Sequence, residues 1–106
     1  MRLIIIPSDG FVSVDDICFC NINISLPEEY HAIQWYDTEG EIEIVGSNGK
    51  HMENIKITSI DEFLPIIEQW KQAKLDEENR LIEQQKALEE SQQLLNDTNN
   101  ITPNTN

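Results

Sequence analysis

Cys18 and Cys20, His31 and His51, and the adjacent carboxylate pairs Asp15-Asp16, Glu28-Glu29 and Glu77-Glu78 are the residues whose types could do chemistry in this 106-residue chain. A Cys-x-Cys pair can ligate a metal, but no His or further Cys lies nearby in sequence to complete a tetrahedral set. On one strand the two thiols would project to the same face, a poor geometry for a mutual disulfide, so they are read as buried apolar side chains. His31 is assigned packing or a polar contact where a strand begins, and His51, beside the Asn48-Gly49 turn, is expected in solvent. Carboxylates adjacent in sequence point apart rather than converge, which makes them solvated faces. No GxGxxG, phosphate loop or HExxH is present. The sequence therefore offers no catalytic, cofactor-binding or metal-ligating residue, and an enzyme is not expected.

Charge narrows the partners. Twenty Asp and Glu against seven Lys and Arg give a formal charge of -13. A protein that binds a nucleic-acid backbone needs cations to displace condensed counterions, so direct nucleic-acid binding is disfavoured. An acidic surface instead keeps a chain soluble, steers it to a basic partner, or mimics nucleic acid toward a DNA-binding protein. The opening MRLIIIPSDG has a run of only four apolar residues before Pro7, too few for a signal-peptide core or a membrane span, so a soluble intracellular product without membrane contact is expected.

The elements that must position these side chains begin with a hairpin. In AIQWYDTEGEIEI, Ala32 to Ile44, Asp37-Thr38-Glu39-Gly40 fits a type I turn with glycine at its last corner for positive φ. With Thr38 and Glu39 at the tip, Trp35 faces Ile42 and Ile33 faces Ile44 on one apolar face, while Gln34, Tyr36, Glu41 and Glu43 lie on the wet face. Upstream, Leu3–Ile6, the stretch from Phe11 to Val14, and 17–24 read as strands. They are separated by Pro7–Gly10 and Asp15-Asp16, with Cys18, Cys20, Ile22 and Ile24 on one side of the third. Residues 26–31 are expected to cross to the hairpin as a loop or helical turn. Asn48-Gly49 announces a further hairpin, with a last strand around Ile55 and Ile57.

After Ser59 the period changes. Ser59 and Glu62 match a capping box, Asp61 competes as the cap, and from Ile66 no Gly or Pro occurs until Pro103. A helix to about Leu95 follows, with Phe63, Ile66, Ile67, Trp70 and Ala73 as the stripe that covers the sheet and Trp35 packing against Trp70. The fold class is α+β: a small antiparallel β-meander of five to six strands packed on one long C-terminal helix that projects beyond the domain. Ile60, Ile67, Lys74, Leu81, Leu88 and Leu95 recur every seven residues, but the companions Glu77, Gln84 and Ser91 are polar. A coiled-coil homo-oligomer and a solvated helix both stay open. The division is thus 1–75 for sheet and packing helix, 76–95 for the polar helix extension, and 96–106 for a disordered Asn/Thr-rich tail. An Asn100-Ile101-Thr102 sequon in that tail is read as chance.

The segments IIIP, VSVDD (12–16), HAIQWYDTEGEIE (31–43) and WKQA (70–73) resemble small uncharacterised proteins of tailed bacteriophages and prophages, commonly encoded beside tail-fibre genes. The resemblance covers roughly residues 1–75, and AIQW followed by GEIE is its most specific part. It implies a tail-associated accessory protein, either a tail-fibre assembly factor or a minor structural component, made late in infection. Such a protein works by protein–protein binding in the host cytoplasm during assembly or in the virion tail. The residues offered to a tail or tail-fibre partner are Tyr36, Asp37, Glu41 and Glu43 on the hairpin, with Leu81, Leu88 and Leu95 on the helix. The alternative is an acidic host-directed inhibitor that mimics nucleic acid.

Overall fold

The computed structural model describes residues 1–101, with side chains through residue 95. The chain forms β1 (Arg2–Ile6), a 3-10 turn (Pro7–Asp9), β2 (Phe11–Val14), β3 (Ile17–Phe19), β4 (Tyr30–Tyr36), β5 (Glu39–Val45) and β6 (His51–Ile57). A second 3-10 turn (Asp61–Phe63) then leads into α1 (Leu64–Ile101). It divides into two compact units, Met1–Lys74 and Leu75–Asn106. The architecture is α+β, with one six-stranded antiparallel sheet in the order β3-β2-β1-β4-β5-β6 and a single long helix. The tail expected from Asn96 lies outside the residues whose side chains are described. Its last five residues, 102–106, lie outside the description altogether.

In the first unit, period-two alternation sorts side chains to two faces. Leu3, Ile5, Val12, Val14, Ile33, Trp35, Ile42 and Ile44 point inward and are buried. Phe63, Ile66, Ile67 and Trp70, spaced at helical intervals, close over them, joined by Ile22 from the crossover. Each fully buried aliphatic or aromatic side chain contributes roughly 1.5–3 kcal/mol, so this interlayer core is the main stabilising term. Trp70 also donates its indole N–H to the Ile17 carbonyl at 2.9 Å and meets the ring of Phe19 edge to face at 6.1 Å. Its ring partner is therefore Phe19, although Trp35 belongs to the same core.

Two turns fix the start of β1. Asp15 and Asp16, at φ 50 and φ 70, form the two-residue loop between β2 and β3, where positive φ at both positions matches the twist of the strands. Asp37, at φ 55, forms the other tip, with Thr38 N–H donating to the Tyr36 carbonyl at 2.7 Å in a γ-turn. Both aspartates then grip the start of β1. The Met1 amine donates to Asp37 Oδ1 at 2.8 Å, and Asp37 N–H donates back to the Met1 carbonyl at 2.9 Å. Arg2 N–H and Asp15 Oδ1 meet at 2.8 Å, and Asp15 N–H returns to the Arg2 carbonyl at 2.8 Å.

The hairpin faces are as expected but its register is not. Ile33 pairs with Ile42 and Trp35 with Gly40, two residues from the expected pairing, because the loop is Asp37-Thr38 alone and Glu39 and Gly40 belong to β5. A two-residue slip preserves every face. Gly40 is not at positive φ; a Cβ there would lie 2.9 Å from Trp35 Cα and closer still to the Gln34 carbonyl oxygen. It is glycine because another backbone passes close by.

Three further expectations are corrected. β4 begins at Tyr30, so Tyr30 and His31 are strand rather than loop, with an irregularity in pairing that turns Tyr30 toward the core. The third strand stops at Phe19, so Cys20, Ile22 and Ile24 do not share a strand face with Cys18, and both cysteines are exposed rather than buried. A three-residue edge strand is too short to carry the alternation further. The capping box does not form: Ser59 Oγ accepts from Asp61 N–H at 3.1 Å, while the Glu62 carboxylate accepts from the Tyr30 hydroxyl. Pro65 sits in the first turn of α1, where its missing N–H has no intrahelical partner to lose.

Candidate functional site

In the first unit no described element covers the face of the sheet opposite the helical layer, and strand register sets its side chains in rows. One row runs Arg2, Tyr36, Glu39 across β1, β4 and β5. The next runs Ile4, Gln34, Glu41, Lys56 and reaches β6. Together they line a depression of about 610 Å³ at the tip end of the hairpin. Tyr36 is 67% exposed at its centre. Around it, Asn54 donates its side-chain amide to Glu41 at 3.1 Å and Gln34 donates to Glu43 at 3.4 Å, so the acids of this face are held rather than free to splay.

Of the residues expected to meet a partner, Tyr36, Glu41 and Glu43 therefore share this face. Asp37 does not join it as an open contact, because its carboxylate is engaged by the Met1 amine. That hydrogen bond, first, raises the amine above its ordinary pKa; burial opposes it, and the nearby charges of Asp37 and Asp15 add to the rise. Arg2 and Lys56, the two cations of the depression, escaped the sequence reading. Leu3–Ile6 reads as an unbroken apolar run, which hides that Arg2 and Ile4 alternate outward. Only cross-strand register brings Lys56 opposite Glu41.

In the second unit, Leu81, Leu88 and Leu95 are exposed, as are Leu75, Ile82 and Leu94. Ile60 and Ile67, the earlier members of the heptad column, pack into the core of the first unit instead, and Lys74 lies with its ammonium 5.9 Å from the Trp70 ring. Arg80 pairs with Glu77 one turn away at 2.7 Å; this hydrogen bond holds the Glu77 carboxyl below its usual range and raises the guanidinium.

A second depression, of about 530 Å³, lies between the Pro7-Ser8 turn and the β4 and β5 ends, beside Glu28, Glu29 and His31. The His31 and His51 rings meet edge to face at 5.8 Å. Burial, followed by the Glu62 charge and hydrogen bond, raises the pKa of the Tyr30 hydroxyl there. Two imidazoles fall short of a metal shell, and no group of three or more His, Cys, Asp and Glu converges among the described residues. Nor is any described helix long and apolar enough to cross a membrane. The open sheet face thus offers contacts to a macromolecule: an aromatic platform, two cations and fixed carboxylates.

No protein-family model, no curated protein and no solved structure matches this chain.

Proposed function

We propose that this chain is a bacteriophage tail-associated accessory protein, a tail-fibre assembly factor or minor tail component, that works by protein–protein binding through the open face of its sheet. The observation that carries the binding role is Tyr36, exposed between Arg2 and Glu39 on a face that no element of the first unit covers. Tyr and Arg are the residue types that concentrate binding energy at protein interfaces, and their neighbours here are satisfied polar groups able to form a rim. The tail assignment rests on the resemblance over residues 1–75. The acidic mimic of nucleic acid is the weaker reading, since Arg2 and Lys56 stand among the acids of this face.

The test is quantitative mass spectrometry of purified virions and of infected cells, with the wild-type chain and Tyr36→Ala compared. Fixed stoichiometry with tail proteins, or cellular association with a tail-fibre subunit that Tyr36→Ala removes, is the expected result. Association competed away by duplex DNA, or absence of any tail-protein association, overturns the proposal.

A further inference from the structure

The far side of β6 has no neighbouring strand among the described residues, and its seven residues contain no proline to blunt that edge. β6 is also poorly covered on its inner face. Met52 and Ile55 pair with the buried Ile44 and Ile42, yet remain 60% and 47% exposed. Between those two pairs the register shifts, so Glu53 and Asn54 together occupy the place opposite Glu43. This bulge keeps Met52, Ile55 and Ile57 all on the inner face, with Asn54 and Lys56 turned toward Glu41 on the outer one.

That pattern is complementary to itself. We infer that β6 is a dimerisation edge, pairing antiparallel with β6 of a second copy about a two-fold axis through Ile55, to join two six-stranded sheets into one. Placing Ile55 opposite its own mate sets Met52 opposite Ile57 of the other copy, apolar against apolar on the inner face. The same register sets the Glu53-Asn54 bulge opposite Lys56 on the outer face, and symmetry repeats the acid–base pair. Shifting the partner by one place turns apolar side chains toward polar ones, and shifting it by two sets Lys56 opposite Lys56 or the acidic bulge opposite itself, so faces and charges together specify the register. Lys and Glu on an edge strand ordinarily discourage pairing with other chains. Here the two charges are of opposite sign at matching places, which discourages strangers and admits a second copy. The added apolar area is small, and the dimer belongs to the weak, concentration-dependent class.

This inference stands apart from the tail proposal, because the purified chain alone tests it. Sedimentation velocity of the full chain from about 1 µM to about 1 mM is expected to show a monomer–dimer equilibrium. Lys56→Glu, which sets like charges opposite one another at both ends of the pairing, is expected to weaken it about tenfold. The double variant Glu53→Lys/Lys56→Glu restores the complementarity and is expected to recover most of the affinity. Both sites are exposed, so native amide spectra of each variant check that the sheet itself is intact. A monomer throughout the range overturns the inference. So does a dimer indifferent to Lys56→Glu, a double variant no better than the single one, or a dimer lost instead on Leu81→Ser/Leu88→Ser.

Discussion

Gly40→Ala is the substitution whose cost the geometry of the hairpin fixes most directly. The added methyl would sit 2.9 Å from Trp35 Cα and closer still to the Gln34 carbonyl oxygen. Carbon atoms prefer a separation of about 3.5–4.0 Å, so β4 and β5 must part by roughly 0.6 Å or more at a point where neither can swing a flexible side chain aside. Overpacking of this kind costs about 1–3 kcal/mol, and each strand-to-strand hydrogen bond lengthened beside it costs about 1 kcal/mol more. An overall loss of about 2–4 kcal/mol is expected, which for a unit of this size lowers the melting temperature by roughly 10–25 °C. Urea denaturation with thermal melts would measure it. Gly40→Asn separates the two explanations for the glycine: were positive φ the reason, Asn would be tolerated far better than Ala, whereas close approach penalises both. A Gly40→Ala variant within about 0.5 kcal/mol of wild type would refute the reasoning, since surface substitutions without such a clash fall in that band.

Trp70→Phe keeps the apolar contact with Phe19 but leaves the Ile17 carbonyl without its indole donor, so a loss of about 1–2 kcal/mol is expected, with faster amide exchange in β3 than elsewhere in the sheet. The Met1 amine holds its proton to a higher pH in the folded chain than its ordinary value of 8.0, so its stabilising pairing with Asp37 is complete below pH 8 and is lost as pH rises through the folded value. Wild type should therefore exceed Asp37→Asn in thermal stability at pH 7, with the gap closing as the amine loses its proton above pH 8; a gap that widens would reverse the sign. Cys18 and Cys20 are both exposed, so a thiol reagent should modify two groups in the native chain without denaturant, and strong protection of either would contradict the short third strand.

Alternation was enough to read the two faces of β4 and β5, because Ile33, Trp35, Ile42 and Ile44 fall on one parity and Gln34, Tyr36, Glu41 and Glu43 on the other. Register was not, since a two-residue slip leaves that parity unchanged and only the position of the loop, Asp37-Thr38 rather than Thr38-Glu39, selects between the alternatives. The Glu/Gln/Leu-rich composition after Ile66 sufficed for the helix, and Asp15-Asp16 for its turn. Cys18 and Cys20 misled for a different reason. The ICFCNINI alternation continues past Phe19, but hydrogen bonding to β2 ends there, and Ile22 N–H turns to the Gly10 carbonyl at 3.0 Å. Tyr36 was legible as an outward aromatic on its own strand. Arg2 and Lys56 were not, because what makes them its neighbours is the order β1-β4-β5-β6, a long-range property that no local window contains.

That same order gives Lys56 two faces of duty. It stands in the row with Ile4, Gln34 and Glu41 that bounds the Tyr36 depression, and it is the base that meets the Glu53-Asn54 bulge of a second copy in the inferred pairing. One ammonium directed into the depression by a bound partner is withdrawn from the edge, and one held at the edge is withdrawn from the depression. The two associations are then linked, and linkage is reciprocal: the factor by which a partner weakens dimerisation equals the factor by which dimerisation weakens the partner. Titrating the proposed tail-fibre partner against the dimer in sedimentation should show this antagonism in the wild type. Glu53→Lys/Lys56→Glu, which keeps the edge complementary while reversing the charge in the depression, should keep most of the dimer affinity and bind the partner poorly. Equal partner affinity in that variant would free Lys56 from the depression and leave Tyr36 and Arg2 to carry the contact.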